Sequence, residues 1–113
     1  MEQENTILVQ TYEFLKMMTG VLSHFPHAQK SLLADRIQNL VSDVLELFIE
    51  AYYSSRGNKR DKLQEVNIKL EKLRYYIRLC YELGYYNSTK YGAIMEKIQE
   101  IGKMNGGWIK SLS

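Results

Sequence analysis

The chain has 113 residues, 45% hydrophobic and 25% charged, with a formal net charge of +2. That length suits one domain, residues 1–113, with a small core, and the balance of apolar and charged residues excludes wholesale disorder. A single cysteine excludes an internal disulfide, no run approaches the ~20 apolar residues of a membrane span, and Met1-Glu2-Gln3-Glu4 lacks the basic start of a signal peptide, so a reducing cytoplasm is expected.

Periodicity predicts four helices in chain order. Helix one reads from about Asn5 to Ser23, with Leu8, Tyr12, Leu15, Thr19 and Leu22 as its core stripe. The His24-Phe25-Pro26-His27 stretch breaks it, because proline biases the residue before it away from helix. Helix two runs from about Ala28 to Ser55, with Leu33, Ile37, Leu40, Val44, Leu47, Phe48 and Ala51 inward. A turn at Ser54-Ser55-Arg56-Gly57-Asn58 leads to helix three, about Lys59 to Leu83, which turns Leu63, Val66, Leu70, Leu73, Ile77 and Cys80 inward. Gly84 stands where a C-cap belongs. Asn87 or Ser88 caps helix four, whose inward residues are Tyr91, Ile94, Ile98 and Ile101. Gly106-Gly107 is a pair that normally ends a helix, which sets the only tryptophan, Trp108, on a short hinged segment as a docking anchor. Short connections favour antiparallel neighbours, so the expected fold is all-α, an up-down-up-down four-helix bundle.

A second apolar stripe points to self-association. Phe14, Met18, Val21 and Phe25 fall off the core stripe of helix one, and Leu45, Ile49, Tyr52 and Tyr53 do the same on helix two. A helix apolar nearly all round is buried on more than one side. Phe14, Met18, Val21, Leu45, Ile49 and Tyr53 are therefore the expected subunit interface. Wide core faces in a monomer would give the same pattern.

Catalytic groups are scarce. His24 and His27 flank the proline break without a cysteine or acidic partner to complete a metal set. Cys80 lies on the inward side of helix three, where a thiol behaves as a small hydrophobe. Asp35 with Asp43, or Glu46 with Glu50, could pair on helix two, but no Glu-x-x-His motif and no phosphate-cradling glycine loop occurs. No enzymatic activity, metal or cofactor is expected.

Charge is unevenly spread. Residues 1–55 carry three basic and seven acidic residues, and residues 56–113 carry twelve basic and six acidic. Around the core stripe of helix three, Lys62, Lys69 and Lys72 fall on one flank and Arg60, Arg74 and Arg78 on the other. Tyr75 points away from the core beside Arg74 and Arg78. Arginine forks suit phosphate oxygens and an exposed ring suits base stacking, so Arg60, Lys62, Lys69, Arg74 and Arg78 are candidate nucleic-acid contacts. A merely solvated charged face is the other reading.

Three fragments together resemble a known family. They are Phe25-Pro26-His27 ahead of Asp35-Arg36-Ile37, the Leu73-Arg74-Tyr75-Tyr76-Ile77-Arg78-Leu79 run, and Glu100-Ile101-Gly102-Lys103-Met104 through Gly106-Gly107-Trp108-Ile109-Lys110-Ser111. In order and spacing these resemble the accessory variability determinant (Avd) proteins of diversity-generating retroelements, within the wider group of proteins from intervening sequences of bacterial 23S rRNA genes. The resemblance implies a homopentameric barrel of four-helix subunits with a basic surface. It also implies binding to the retroelement's reverse transcriptase and to template RNA, with DNA as a further ligand, in support of mutagenic copying. The alternative it leaves open is an oligomeric scaffold of the intervening-sequence type with no direct nucleic-acid role. Asn105 stands where the family pattern calls for an apolar residue.

Overall fold

A computed structural model describes residues 2–112, with the side-chain surroundings of 6–28 and 32–112. Helices α1 (Glu2–Leu22), α3 (Asp35–Tyr52), α4 (Arg56–Glu82) and α5 (Ser88–Ser111) form the bundle. The described residues contain no strand. Between α1 and α3 the chain makes one short helix, α2 (His27–Gln29), and a π-helical turn at Lys30–Ala34. Pro26 precedes α2, so the break predicted there is real, but it is followed by a wound entry into α3 and not by one continuous helix.

The ends of the helices follow from local chemistry. The Asn87 side chain accepts a hydrogen bond from the Lys90 backbone N–H at 2.9 Å, satisfying one of the free donors at the start of α5. At the end of α4, Gly84 takes φ +83°, its N–H donates to the Tyr81 carbonyl at 2.9 Å, and the Tyr85 N–H donates to the Cys80 carbonyl at 3.0 Å. This is a Schellman closure, and it requires the left-handed angle that glycine adopts without strain.

The core confirms α4 and most of α3. Leu63, Val66, Leu70, Leu73, Ile77 and Cys80 are all buried, as are Ile37, Leu40, Val44, Leu47, Phe48 and Ala51, with Leu33 half-buried. In α1 the expected stripe is displaced. The residues turned inward are Ile7, Thr11, Phe14, Met18 and Leu22, while Tyr12 and Thr19 are exposed and Leu8 and Leu15 half-buried. Phe14 and Met18, expected at a subunit interface, lie in the core of their own chain at 2% and 0% exposure and offer nothing to a neighbour. Both stripes of α1 are apolar, so helical period alone does not choose between them; the positions of α3 and α5 do.

The tail also differs from expectation. Gly106-Gly107 does not end the helix: α5 continues to Ser111 and carries Trp108 into the core. Buried Ile94, Ile98, Ile101, Asn105 and Trp108 recur at alternating spacings of four and three, the pattern of a helix packed in a bundle. Trp108 stacks on Phe48, with ring centroids 6.1 Å apart. The Lys59 ammonium sits 5.8 Å from the Trp108 ring centroid and donates to the Tyr52 carbonyl, and Arg56 donates to the Leu112 carbonyl. Two cations at the start of α4 thus fasten the end of α5. Asn105 is fully buried, and its Nδ2 donates to the Leu63 carbonyl and to Asn67 Oδ1, each at 2.9 Å.

Candidate nucleic-acid interface

Helix α4 lies between α3 and α5, so its two basic flanks face two different grooves. On the α3 side the pairing is antiparallel and regular. Lys62 Nζ lies 2.8 Å from Glu50 Oε1, and Lys69 Nζ lies 3.2 Å from Asp43 Oδ2. The hydrogen bond to Glu50 raises the Lys62 pKa above its ordinary value, so this ammonium stays charged. Lys62 and Lys69 line one surface hollow of about 280 Å³ with four carboxylates: Asp43, Glu46, Glu50 and Glu65. The potential there is acidic on balance, which is the wrong sign for a phosphate.

On the α5 side, Arg74, Tyr75 and Arg78 line a shallow hollow of about 200 Å³ with Glu71, Tyr91 and Met95. The i,i+4 spacing of Arg74 and Arg78 puts both guanidinium groups on one face. Arg74 Nη1 donates to Glu71 Oε1 at 2.9 Å, and Arg78 Nε donates to Glu82 Oε2 at 3.0 Å. The Glu82 hydrogen bond raises the Arg78 pKa. Each contact uses one N–H of the five a guanidinium carries, so both keep donors for a ligand. Gly102 admits Arg74 closely: a Cβ there would lie 3.4 Å from Arg74 Nη2. Tyr75 is 66% exposed, open for stacking. Tyr81 and Tyr91 stack in parallel beside this groove, with centroids 4.4 Å apart. Arg60 is half-buried near the start of α4.

The structure therefore brings Arg74, Tyr75 and Arg78 together and sets Lys62 and Lys69 apart from them, among acids. Sequence reasoning passed over Arg36, which joins Lys69 and Lys72 in a third hollow on the α3 side. Its signal was available, since Arg36, Asp43 and Glu50 are spaced by seven, as are Lys62, Lys69 and Tyr76.

Of the expected interface residues, Ile49 and Tyr53 are exposed at 42% and 82%, while Val21 and Leu45 are half-buried. Cys80 is buried, and burial pushes its thiol up to about 11; burial also raises the pKa of Tyr86, whose hydroxyl donates to the Ile77 carbonyl. A thiol so held is a poor nucleophile. Among the described residues no group of three or more metal-binding side chains comes together, and no helix is long and apolar enough to cross a membrane.

A family model described as bAvd-like matches residues 6–112. No curated protein matches the chain. Among solved structures, a protein of unknown function from the S23 ribosomal protein family of Bacteroides thetaiotaomicron VPI-5482 superposes with a TM-score of 0.88, at 20% identity, over 96% of this chain and 98% of that one. At that identity the likeness speaks for a shared four-helix fold. The family match runs from within α1 through the whole of α5, including the α4 arginines and the Trp108 tail, and the chain belongs to the bAvd-like family of Avd-type four-helix proteins.

Proposed function

We propose that this chain is a non-catalytic accessory protein of a diversity-generating retroelement, which holds the reverse transcriptase and template RNA through the basic surface of α4. Membership of the bAvd-like family supports the accessory role in general. The observation that carries the nucleic-acid part is the α5-side groove, where two arginines with spare donors flank an exposed tyrosine. Phosphates would bind the guanidinium forks and a base would stack on Tyr75, with little sequence preference. DNA offers the same phosphates. Lys62 and Lys69 contribute less, because neighbouring carboxylates offset them. The same charge serves contact with an acidic face of the polymerase.

A single groove of this size is a weak site, and repetition strengthens it. We propose assembly into a homopentamer, with Ile49 and Tyr53 as the exposed apolar contacts, half-buried Leu45 one turn before Ile49, and half-buried Val21 as a separate contact at the end of α1. Five copies would gather five arginine pairs into one basic surface. Sedimentation giving a stable monomer at micromolar concentration would overturn the assembly.

The binding reading is tested with Arg74→Ala/Arg78→Ala, followed by fluorescence anisotropy of labelled RNA across a salt titration. Affinity should fall by about tenfold or more and the salt dependence should flatten, since fewer phosphates are neutralised. Helicity should not change, because both side chains lie outside the core. Wild-type binding by the variant would leave α4 as a solvated face and favour the oligomeric scaffold.

A further inference from the structure

The seam between α3 and α4 is a ladder of three rungs at heptad spacing. The rungs are Glu50 opposite Lys62, Asp43 opposite Lys69, and Arg36 opposite Tyr76. The first two pair a carboxylate on α3 with an ammonium on α4. The third breaks the rule: α3 supplies a cation and α4 a ring, and the Arg36 guanidinium lies 5.8 Å from the Tyr76 ring centroid. The change of partner reverses the sign of the seam. Around the first two rungs, four carboxylates face two cations. Around the third, a hollow of about 370 Å³ is lined by Arg36, Asn39, Leu40, Asp43, Lys69, Lys72 and Tyr76. Its only carboxylate among the described lining residues, Asp43, is already engaged by Lys69.

We infer that this hollow is a phosphate-binding site built from Arg36 and Lys72, with Asn39 as an amide donor. Neither cation makes an ion pair among the described residues, in contrast to Lys62, Lys69, Arg74 and Arg78. The Tyr76 ring holds the Arg36 guanidinium by a cation–π contact, which pre-orders a planar fork of donors suited to phosphate oxygens. Lys72 stands one turn from Tyr76 on α4 and lines the same hollow, adding a point charge from the opposite wall. Asn39 is three residues from Arg36 on α3, so its amide belongs to the same wall. The shared ligand chemistry is a phosphate group, either a diester along a nucleic-acid strand or a free phosphate such as pyrophosphate. The site stands on a different face of α4 from the arginine pair above. It deepens the nucleic-acid reading if the source is a strand, and holds without that reading if the source is free phosphate.

The test measures two ligands against the full chain: pyrophosphate by calorimetry and a labelled RNA oligonucleotide by anisotropy across a salt titration. The variants are Arg36→Gln/Lys72→Gln, Asp43→Asn, and Lys16→Gln as an exposed cation on α1 paired with Glu13. Arg36→Gln/Lys72→Gln should weaken at least one ligand by about tenfold, and for RNA it should lower the salt slope by about two phosphates per chain. Asp43→Asn removes the one opposing charge and should tighten the same ligand a few-fold, a gain that misfolding does not mimic. Lys16→Gln should stay within about twofold of wild type. Loss of RNA binding in Arg36→Gln/Lys72→Gln, with Arg74→Ala/Arg78→Ala unaffected, would support the hollow and overturn the α5-side groove. Loss of pyrophosphate alone would support a free-phosphate site while the strand reading fails. Wild-type binding of both ligands by Arg36→Gln/Lys72→Gln, or equal weakening by Lys16→Gln, would overturn the inference.

Discussion

Replacing Asn105 with Leu should stabilise the fold by about 1 kcal/mol, although it deletes two hydrogen bonds. The side chain is 0% exposed, and its Oδ1 has no hydrogen-bond partner. An unpaired buried carbonyl costs about 1–3 kcal/mol, and the leucine would bury apolar surface worth about 1.5–3 kcal/mol. Against this stand two hydrogen bonds worth about 1 kcal/mol net each. Neither former partner is stranded by their loss. The Leu63 carbonyl lies inside α4, where the helix ladder already uses it, and Asn67 is exposed, so its amide turns to water. Urea unfolding followed by circular dichroism, at fixed protein concentration, should show a higher midpoint with an unchanged slope. In thermal unfolding, 1 kcal/mol corresponds to a rise of about 4–8 °C. A loss of more than about 1 kcal/mol would refute the reasoning, because it would mean that Oδ1 is satisfied in solution, by a buried water for instance.

Gly106→Ala should stabilise by about 0.8–1 kcal/mol, since the position is exposed, helical and free of any neighbour within 4 Å of a new Cβ; a destabilised variant would mean that α5 stops at the glycine pair. At about pH 8 the native chain should resist thiol reagents at Cys80 and react fully once unfolded. Stability should then fall as pH rises from about 9 toward 11, because the unfolded thiol ionises at its ordinary value while the folded one stays protonated; the raised Tyr86 pKa acts in the same direction. A urea midpoint that is flat over that range would count against the buried placement of Cys80.

How much of this was legible in the sequence differs by helix. The α4 stripe was readable because its apolar positions alternate at three and four without a break, whereas the other large apolar residues, such as Ile68, Tyr75 and Leu79, form no second stripe of that length. In α1 the choice was ambiguous. Thr11 interrupts the true stripe while Leu8 and Leu15 supply a false one, and only the neighbours decide which side is buried. The tail was misread because glycine was weighed by its local cost, roughly 1 kcal/mol each in a helix interior. Burying Trp108 against Phe48 outweighs that cost, and the spacing from Ile94 to Trp108 already carried the signal. The π-helical turn at Lys30–Ala34 has no simple sequence mark. At the candidate site, the division of α4 into two basic flanks followed from helix geometry. What each flank meets did not, because the carboxylates that offset Lys62 and Lys69 come from α3.

The packing of α4 also equips the molecule with a reporter at each pole. The sole tryptophan lies against Lys59 near the start of α4, and the sole cysteine lies near its end, at Cys80. With 1.5 Å of rise per residue, these positions are roughly 30 Å apart along the helix axis. Indole emission therefore registers solvent reaching one end of the bundle, and thiol labelling registers it at the other, without any engineered label. If both signals change together during unfolding, the four helices melt as one cooperative unit. If emission shifts first, the clasp formed by Arg56, Lys59 and the end of α5 opens while the Schellman end stays closed.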